Sequence, residues 1–280
     1  MGDNVKVFKP ENIKELVEIL EKTQACIYSG GTDLMVKNRQ GAGRIPNFKK
    51  DVVFLEKLKI LKEIKVECGI LHIGSCCTLS ELNGSKFIPE PLKSSIAKMA
   101  SPAIRNIATI GGNICNASPA GDLLPFLYCY DALICLQSAK DERKVHISDF
   151  LIGPGKTSMK EGEFLKKIEI KDLSFNDHFY WKVATRKANA LSKLSIAVLI
   201  KRNDEKLLDL KVALGALAPT VIRVREIEEK ILKDNLKDVT DILENFKIHI
   251  KPIDDQRSSA DYRLKTAIKV LENIFDKLKI

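Results

Sequence analysis

Apolar residues recur along the chain in two periods, and the switch between them divides it. Over residues 12–20 they fall at Ile13, Leu16, Val17 and Leu20, one face of a helix following Pro10 and Glu11. Ala25-Cys26-Ile27-Tyr28 is a short apolar run that breaks into Ser29-Gly30-Gly31-Thr32-Asp33, which predicts a strand feeding a glycine turn. Leu34-Met35-Val36 then opens a helical turn or a second strand. Residues 51–55 read as a strand, 56–61 as a short helix, and 64–66 with 70–73 as a hairpin about Glu67-Cys68-Gly69. Thr78-Leu79-Ser80-Glu81 has the spacing of a capping box. A helix predicted over 91–99 stops before Ser101-Pro102, and a glycine-rich passage, 109–121, leads into the apolar run 123–130. Residues 131–173 read as strands joined by the loop Gly153-Pro154-Gly155-Lys156-Thr157.

Near residue 174 the pattern changes. Residues 179–184, 194–201 and 207–217 are strand-like and successive, which predicts an antiparallel sheet. Helices follow at about 225–233 and 236–246, and a last one at 261–278 carries Leu264, Ile268, Leu271, Phe275 and Leu278 on one face. Strands first and helices afterwards make this part α+β. The expected division is a domain over 1–173 and a second over 174–280.

Composition narrows the function classes. The chain has 280 residues, 45% hydrophobic and 30% charged, enough for a substantial core. No stretch approaches the roughly 18–20 apolar residues of a membrane span, and residues 1–10 lack the apolar segment of a secretory signal. The cytoplasm is the expected compartment. A net charge of +9 raises nucleic acid as a partner. However, the lysines are interspersed with acids and aromatics make up only 6%, so a solvated surface is the expectation and nucleic acid is not. The seven cysteines show no Cys-x2-Cys pair and the four histidines are scattered, so no metal centre is expected.

Two nucleotide motifs fail. Gly153–Thr157 ends like a P-loop, but Phe150 stands where its first glycine belongs; Gly41-x-Gly43 meets Pro46 in place of the third glycine of a dinucleotide fingerprint. A stronger signal is the pair of turns Ser29-Gly30-Gly31-Thr32-Asp33 and Thr109-Ile110-Gly111-Gly112-Asn113. Adjacent glycines let backbone N–H groups converge on an anion, and Thr32, Thr109 and Asn113 add side-chain donors. Facing each other, the turns would hold a pyrophosphate; either one alone is equally a tight turn. Asp122, after the second turn, reads either as a cap for the next helix or as an acceptor for sugar hydroxyls.

These turns, with the block 101–123, Phe150-Leu151-Ile152-Gly153-Pro154-Gly155-Lys156-Thr157, Lys182-Val183-Ala184-Thr185-Arg186, Gly215-Ala216-Leu217-Ala218-Pro219 and Ser258-Ser259-Ala260-Asp261-Tyr262-Arg263, run in the order of a known family. The chain resembles the FAD-binding medium subunits of the molybdenum hydroxylases, the xanthine dehydrogenase and carbon monoxide dehydrogenase family. The resemblance implies an FAD domain of two α/β subdomains, about 1–52 and 53–173, and a C-terminal three-stranded sheet with helices. It places the FAD pyrophosphate on Tyr28, Ser29, Gly30, Gly31, Thr32 and Asp33 and on Thr109 and Gly111, with Asn113 and Asp122 on the nucleotide and Ile27, Leu34 and Gly112 also cofactor-binding. Leu165 and Lys182 would lie near the flavin ring, where an ammonium stabilises the reduced flavin anion; a solvent-facing lysine is the alternative.

The implied partners are a small subunit with two 2Fe–2S clusters, a large molybdopterin subunit, and an external acceptor such as NAD, ferredoxin or quinone. One branch of the family, resembling 4-hydroxybenzoyl-CoA reductase, carries an extra four-cysteine loop here; this chain has no such insertion. The competing expectation is a free-standing FAD-dependent oxidoreductase.

Overall fold

A computed structural model describes residues 5–203, 206–234, 236 and 238–278. The first unit runs β1 (Val7–Phe8), α1 (Ile13–Lys22), β2 (Cys26–Tyr28), α2 (Leu34–Lys37) and β3 (Val52–Phe54). Its strands form a parallel sheet in the order β1-β3-β2. Asn12 caps α1 by accepting the Glu15 N–H, and Leu16, Val17 and Leu20 bury against Val53, Leu55, Leu58 and Leu61. The expected break between residues 52 and 53 therefore falls inside β3. The apolar spacing continues through the 3-10 turn Lys59–Lys62, so this core closes only after Leu61.

The hairpin β4 (Ile64–Glu67) and β5 (Ile70–Gly74) follows, turning through Cys68 and Gly69 at φ 50° and 76°. Next come α3 (Leu79–Gly84), capped by the reciprocal Thr78–Glu81 box, α4 (Glu90–Ala97), α5 (Pro102–Arg105), α6 (Ile110–Cys115) and α7 (Leu124–Cys129). Strands β6 (Leu133–Gln137) and β7 (Glu142–His146), the single turn α8 (Ile147–Phe150), the small hairpin β8 (Leu151–Gly153) and β9 (Lys156–Thr157), and β10 (Phe164–Ile170) complete the unit. An antiparallel sheet, β4-β5-β10-β6-β7, results. The expected loop 153–157 is the tip of the β8–β9 hairpin, with Gly155 at φ 67°.

The C-terminal part is the antiparallel sheet β11 (Asp177–Ala184), β12 (Ser192–Asn203) and β13 (Lys206–Gly215), then α9 (Arg225–Asp234), α10 (Val239–His249) and α11 (Ala260–Leu278). Helix α10 starts later than residue 236, because Asp238 supplies its cap to the Asp241 N–H. Among the described residues no helix is long and apolar enough to cross a membrane. Leu194, Ile196, Val198 and Ile200 of β12 face the C-terminal helices, whereas Ala197 and Leu199 enter the core of the preceding unit. Burial on both faces explains why residues 196–200 of this strand are apolar without interruption.

The two cores are also tied by charge. The Arg223 guanidinium, 5% exposed, makes a bidentate pair with Glu228 and donates to the Tyr128 carbonyl and to Asp131. Glu228 also accepts the Val212 N–H. Arg223→Ala leaves a carboxylate buried without its partner, and stability should fall by about 3–5 kcal/mol in urea unfolding.

Candidate functional site

Strand β2 delivers the first glycine turn against the chain that enters the second. A Cβ built on Gly30 would stand 2.1 Å from the Ile107 carbonyl oxygen, so only glycine permits this approach. Gly31 sits at φ 70° over the Tyr28 hydroxyl. On the other side Asn116 donates to Asp33 at 3.2 Å and accepts from Lys37 Nζ at 2.6 Å, bridging the two turns by side chains.

Between them lies a cavity of about 930 Å³, near the top of the range for small-molecule sites. Ile27, Ser29, Gly30, Gly31, Thr32, Asp33 and Leu34 line one wall, and Thr109, Gly111, Gly112 and Asn113 the other, with Asp122 and Leu165 completing it. Two of the residues singled out from the sequence stand off this wall. Tyr28 packs its ring on Phe54 at 4.4 Å. Lys182 is turned to Asp122 Oδ2 at 2.7 Å and to the Lys98 carbonyl at 2.9 Å.

The turns differ in what they offer. Among the described residues, the backbone N–H groups of Gly30, Gly31, Thr32 and Asp33 donate to no protein acceptor. In the second turn the amides of Ile110, Gly111, Gly112 and Asn113 are engaged, whereas that of Thr109 donates to no protein acceptor among the described residues. Ile110 N–H donates to the Cys77 carbonyl, Gly111 N–H to the Ser75 carbonyl at 2.9 Å, and Gly112 N–H to Thr109 Oγ1 at 3.2 Å. Ile110 and Gly111 anchor α6 on the 75–77 segment, so this turn offers the Thr109 amide and side chains, with fewer free amides than expected. The Asn113 Oδ1 is buried with no partner in the protein. Asp122, read from the sequence as a cap or an acceptor, does not cap α7, whose N-cap is Leu123 with no side-chain bond. Its carboxylate accepts from Tyr180, Lys182 and Ser192.

Residues 3–170 match the family model described as FAD binding domain in molybdopterin dehydrogenase, and residues 179–278 match CO dehydrogenase flavoprotein C-terminal domain. The chain belongs to this family, as an FAD-binding subunit of the xanthine dehydrogenase and CO dehydrogenase type. The chain is 29% identical over 275 residues to the putative xanthine dehydrogenase FAD-binding subunit of Escherichia coli, covering 94% of this chain and 92% of that one. Against the glyceraldehyde dehydrogenase medium chain of Sulfolobus acidocaldarius the identity is 28%, with 94% of each covered. The structure of quinoline 2-oxidoreductase from Pseudomonas putida 86 shares the fold at a TM-score of 0.87 and 21% identity, over 100% of this chain and 98% of that one.

The residues fit FAD. Free N–H groups in the first turn suit the diphosphate, each such donor to a charged oxygen being worth roughly 1.5–3 kcal/mol, and the unpartnered Asn113 oxygen suits a ligand donor. Cys26 and Cys115 also line the cavity. Burial raises both thiols, Cys115 up to about 12, so at neutral pH they are uncharged and do not repel a diphosphate. Tyr180 reads as core of the strand expected at 179–184, and Ser192 precedes the strand expected at 194–201; Asn116 is not singled out from the sequence, although its amide within 101–123 is the signal that points to it.

Gly30→Ala forces the two turns apart, and the purified chain should lose its flavin absorbance while the C-terminal part keeps its fold by circular dichroism. In thiol labelling at mildly alkaline pH, exposed Cys68 should react first and Cys129, 1% exposed and with its thiol raised by burial, only after unfolding.

Proposed function

We propose that this FAD-binding subunit passes electrons from the 2Fe–2S clusters of a small partner subunit to an external acceptor, with substrate oxidised on a large molybdopterin subunit. What carries the reading is the cradle: unused N–H groups at 30–33 facing Thr109 and Asn113 across one cavity. The names of the relatives, FAD-binding subunit and medium chain, support the division of labour.

When bound, FAD supplies the exchange between single electrons and electron pairs. The chain's own residues hold and orient it. The backbone at 30–33 and Thr32 would grip the diphosphate, Thr109 and Asn113 would fix its other side, and Leu165, 5% exposed, forms an apolar wall that keeps water out. Asp122 and Lys182 place an ion pair at the cavity's edge, each side chain 8% exposed.

The purified chain should be yellow and hold FAD in equimolar amount. Mixed with the reduced iron–sulfur partner it should bleach, and re-colour with a competent acceptor. Bleaching by an organic substrate without any partner would establish instead a free-standing oxidoreductase.

A further inference from the structure

Among the described residues, Asp122 is the one cavity residue whose carboxylate is held entirely from the other domain. It lies just before α7, whereas its three donors come from β11 and β12. Tyr180 Oη donates to Oδ1 at 2.8 Å, Ser192 Oγ to the same oxygen at 2.5 Å, and Lys182 Nζ to Oδ2 at 2.7 Å. A carboxylate oxygen has two lone pairs. Oδ1 is therefore full, and Oδ2 keeps a single acceptor position.

The donors are themselves fixed. Ser192 is fully buried and Tyr180 is 9% exposed. The Tyr180 ring packs on Phe126 at 5.5 Å, and Lys98 lies over it at 5.1 Å while donating to the Tyr180 carbonyl. Burial and the neighbouring carboxylate push the Tyr180 phenol well above its ordinary pKa, so it remains a donor. The carboxylate plane is thus set before a ligand arrives, by two hydroxyls that touch no cavity wall.

We propose that Tyr180 and Ser192 are positioning residues for FAD, acting through Asp122 to aim its one remaining acceptor position at a hydroxyl of the cofactor. The inference rests on the reading that Asp122 faces the cofactor. It also makes cofactor affinity depend on the C-terminal sheet, since a shift of β11 or β12 tilts the carboxylate.

The experiment is FAD titration of the full-length apoprotein, unaltered and as Tyr180→Phe, Ser192→Ala, Asp122→Ala and the Asp122→Ala/Tyr180→Phe double variant. Each hydroxyl removal should raise the Kd about 3–10-fold. In the Asp122→Ala background, Tyr180→Phe should change it less than about twofold, because the effect travels through the carboxylate. A purely structural role for the tyrosine predicts full additivity, and that result overturns the proposal.

Visible circular dichroism of bound FAD in Tyr180→Phe provides a second reading should Asp122→Ala not fold. A changed spectrum supports the positioning role, and an unchanged spectrum with unchanged Kd overturns it. Asp122→Ala binding FAD as the unaltered chain does would overturn the reading of Asp122 itself. Weaker binding in Asp122→Ala with both hydroxyl variants unaffected would overturn only the inference.

Discussion

Gly30 rests on the Ile107 carbonyl with no room for a methyl group between them, and the geometry of the site follows from that backbone contact. It brings a parallel βα turn from one sheet against the helical segment of another. The side-chain bridge Asp33–Asn116–Lys37 reaches across the same gap, and the cavity is the space the two surfaces leave. The contact also divides the work. The first turn, lying on the surface of its sheet, leaves the N–H groups at 30–33 open; in the second, wedged on the Ser75 and Cys77 carbonyls, those of Ile110–Asn113 are already engaged.

Much of this arrangement was legible in the sequence because local chemistry dictates it. The helix after Pro10-Glu11, the capping box at Thr78, the hairpin at Cys68-Gly69 and the three C-terminal strands stand where the pattern puts them, since each depends on near neighbours. Long-range effects were not legible. The strand at 51–55 was legible, but its pairing with both β1 and β2, which keeps residues 52 and 53 in the first unit, is a relation no local window contains. The engagement of the Gly111 amide by Ser75 is of the same kind. So is the attachment of Lys182 to Asp122, sixty positions apart.

The C-terminal domain contributes in two physically different ways. Its helices bury the outer face of β12, as any α+β layer does. Its ions tie it inward: Arg223 bonds Glu228, Asp131 and the Tyr128 carbonyl, and Lys182 bonds Asp122. Arg263, 2% exposed and bonded to Asp255 and the Ala216 carbonyl, explains the matched segment at its end as a structural anchor. Such pairs add little net stability when intact, but they tolerate the loss of neither partner.

The inward face of β12 has a bearing on how the polypeptide matures. Ala197, Leu199, Ala213 and Val221 belong to the same apolar cluster as Ile110, Phe126 and Ile168. During synthesis the amino-terminal portion emerges with that surface uncovered, and it stays wet until position 221 has cleared the ribosome. Final compaction of the flavin-binding domain therefore waits on emergence of the C-terminal sheet.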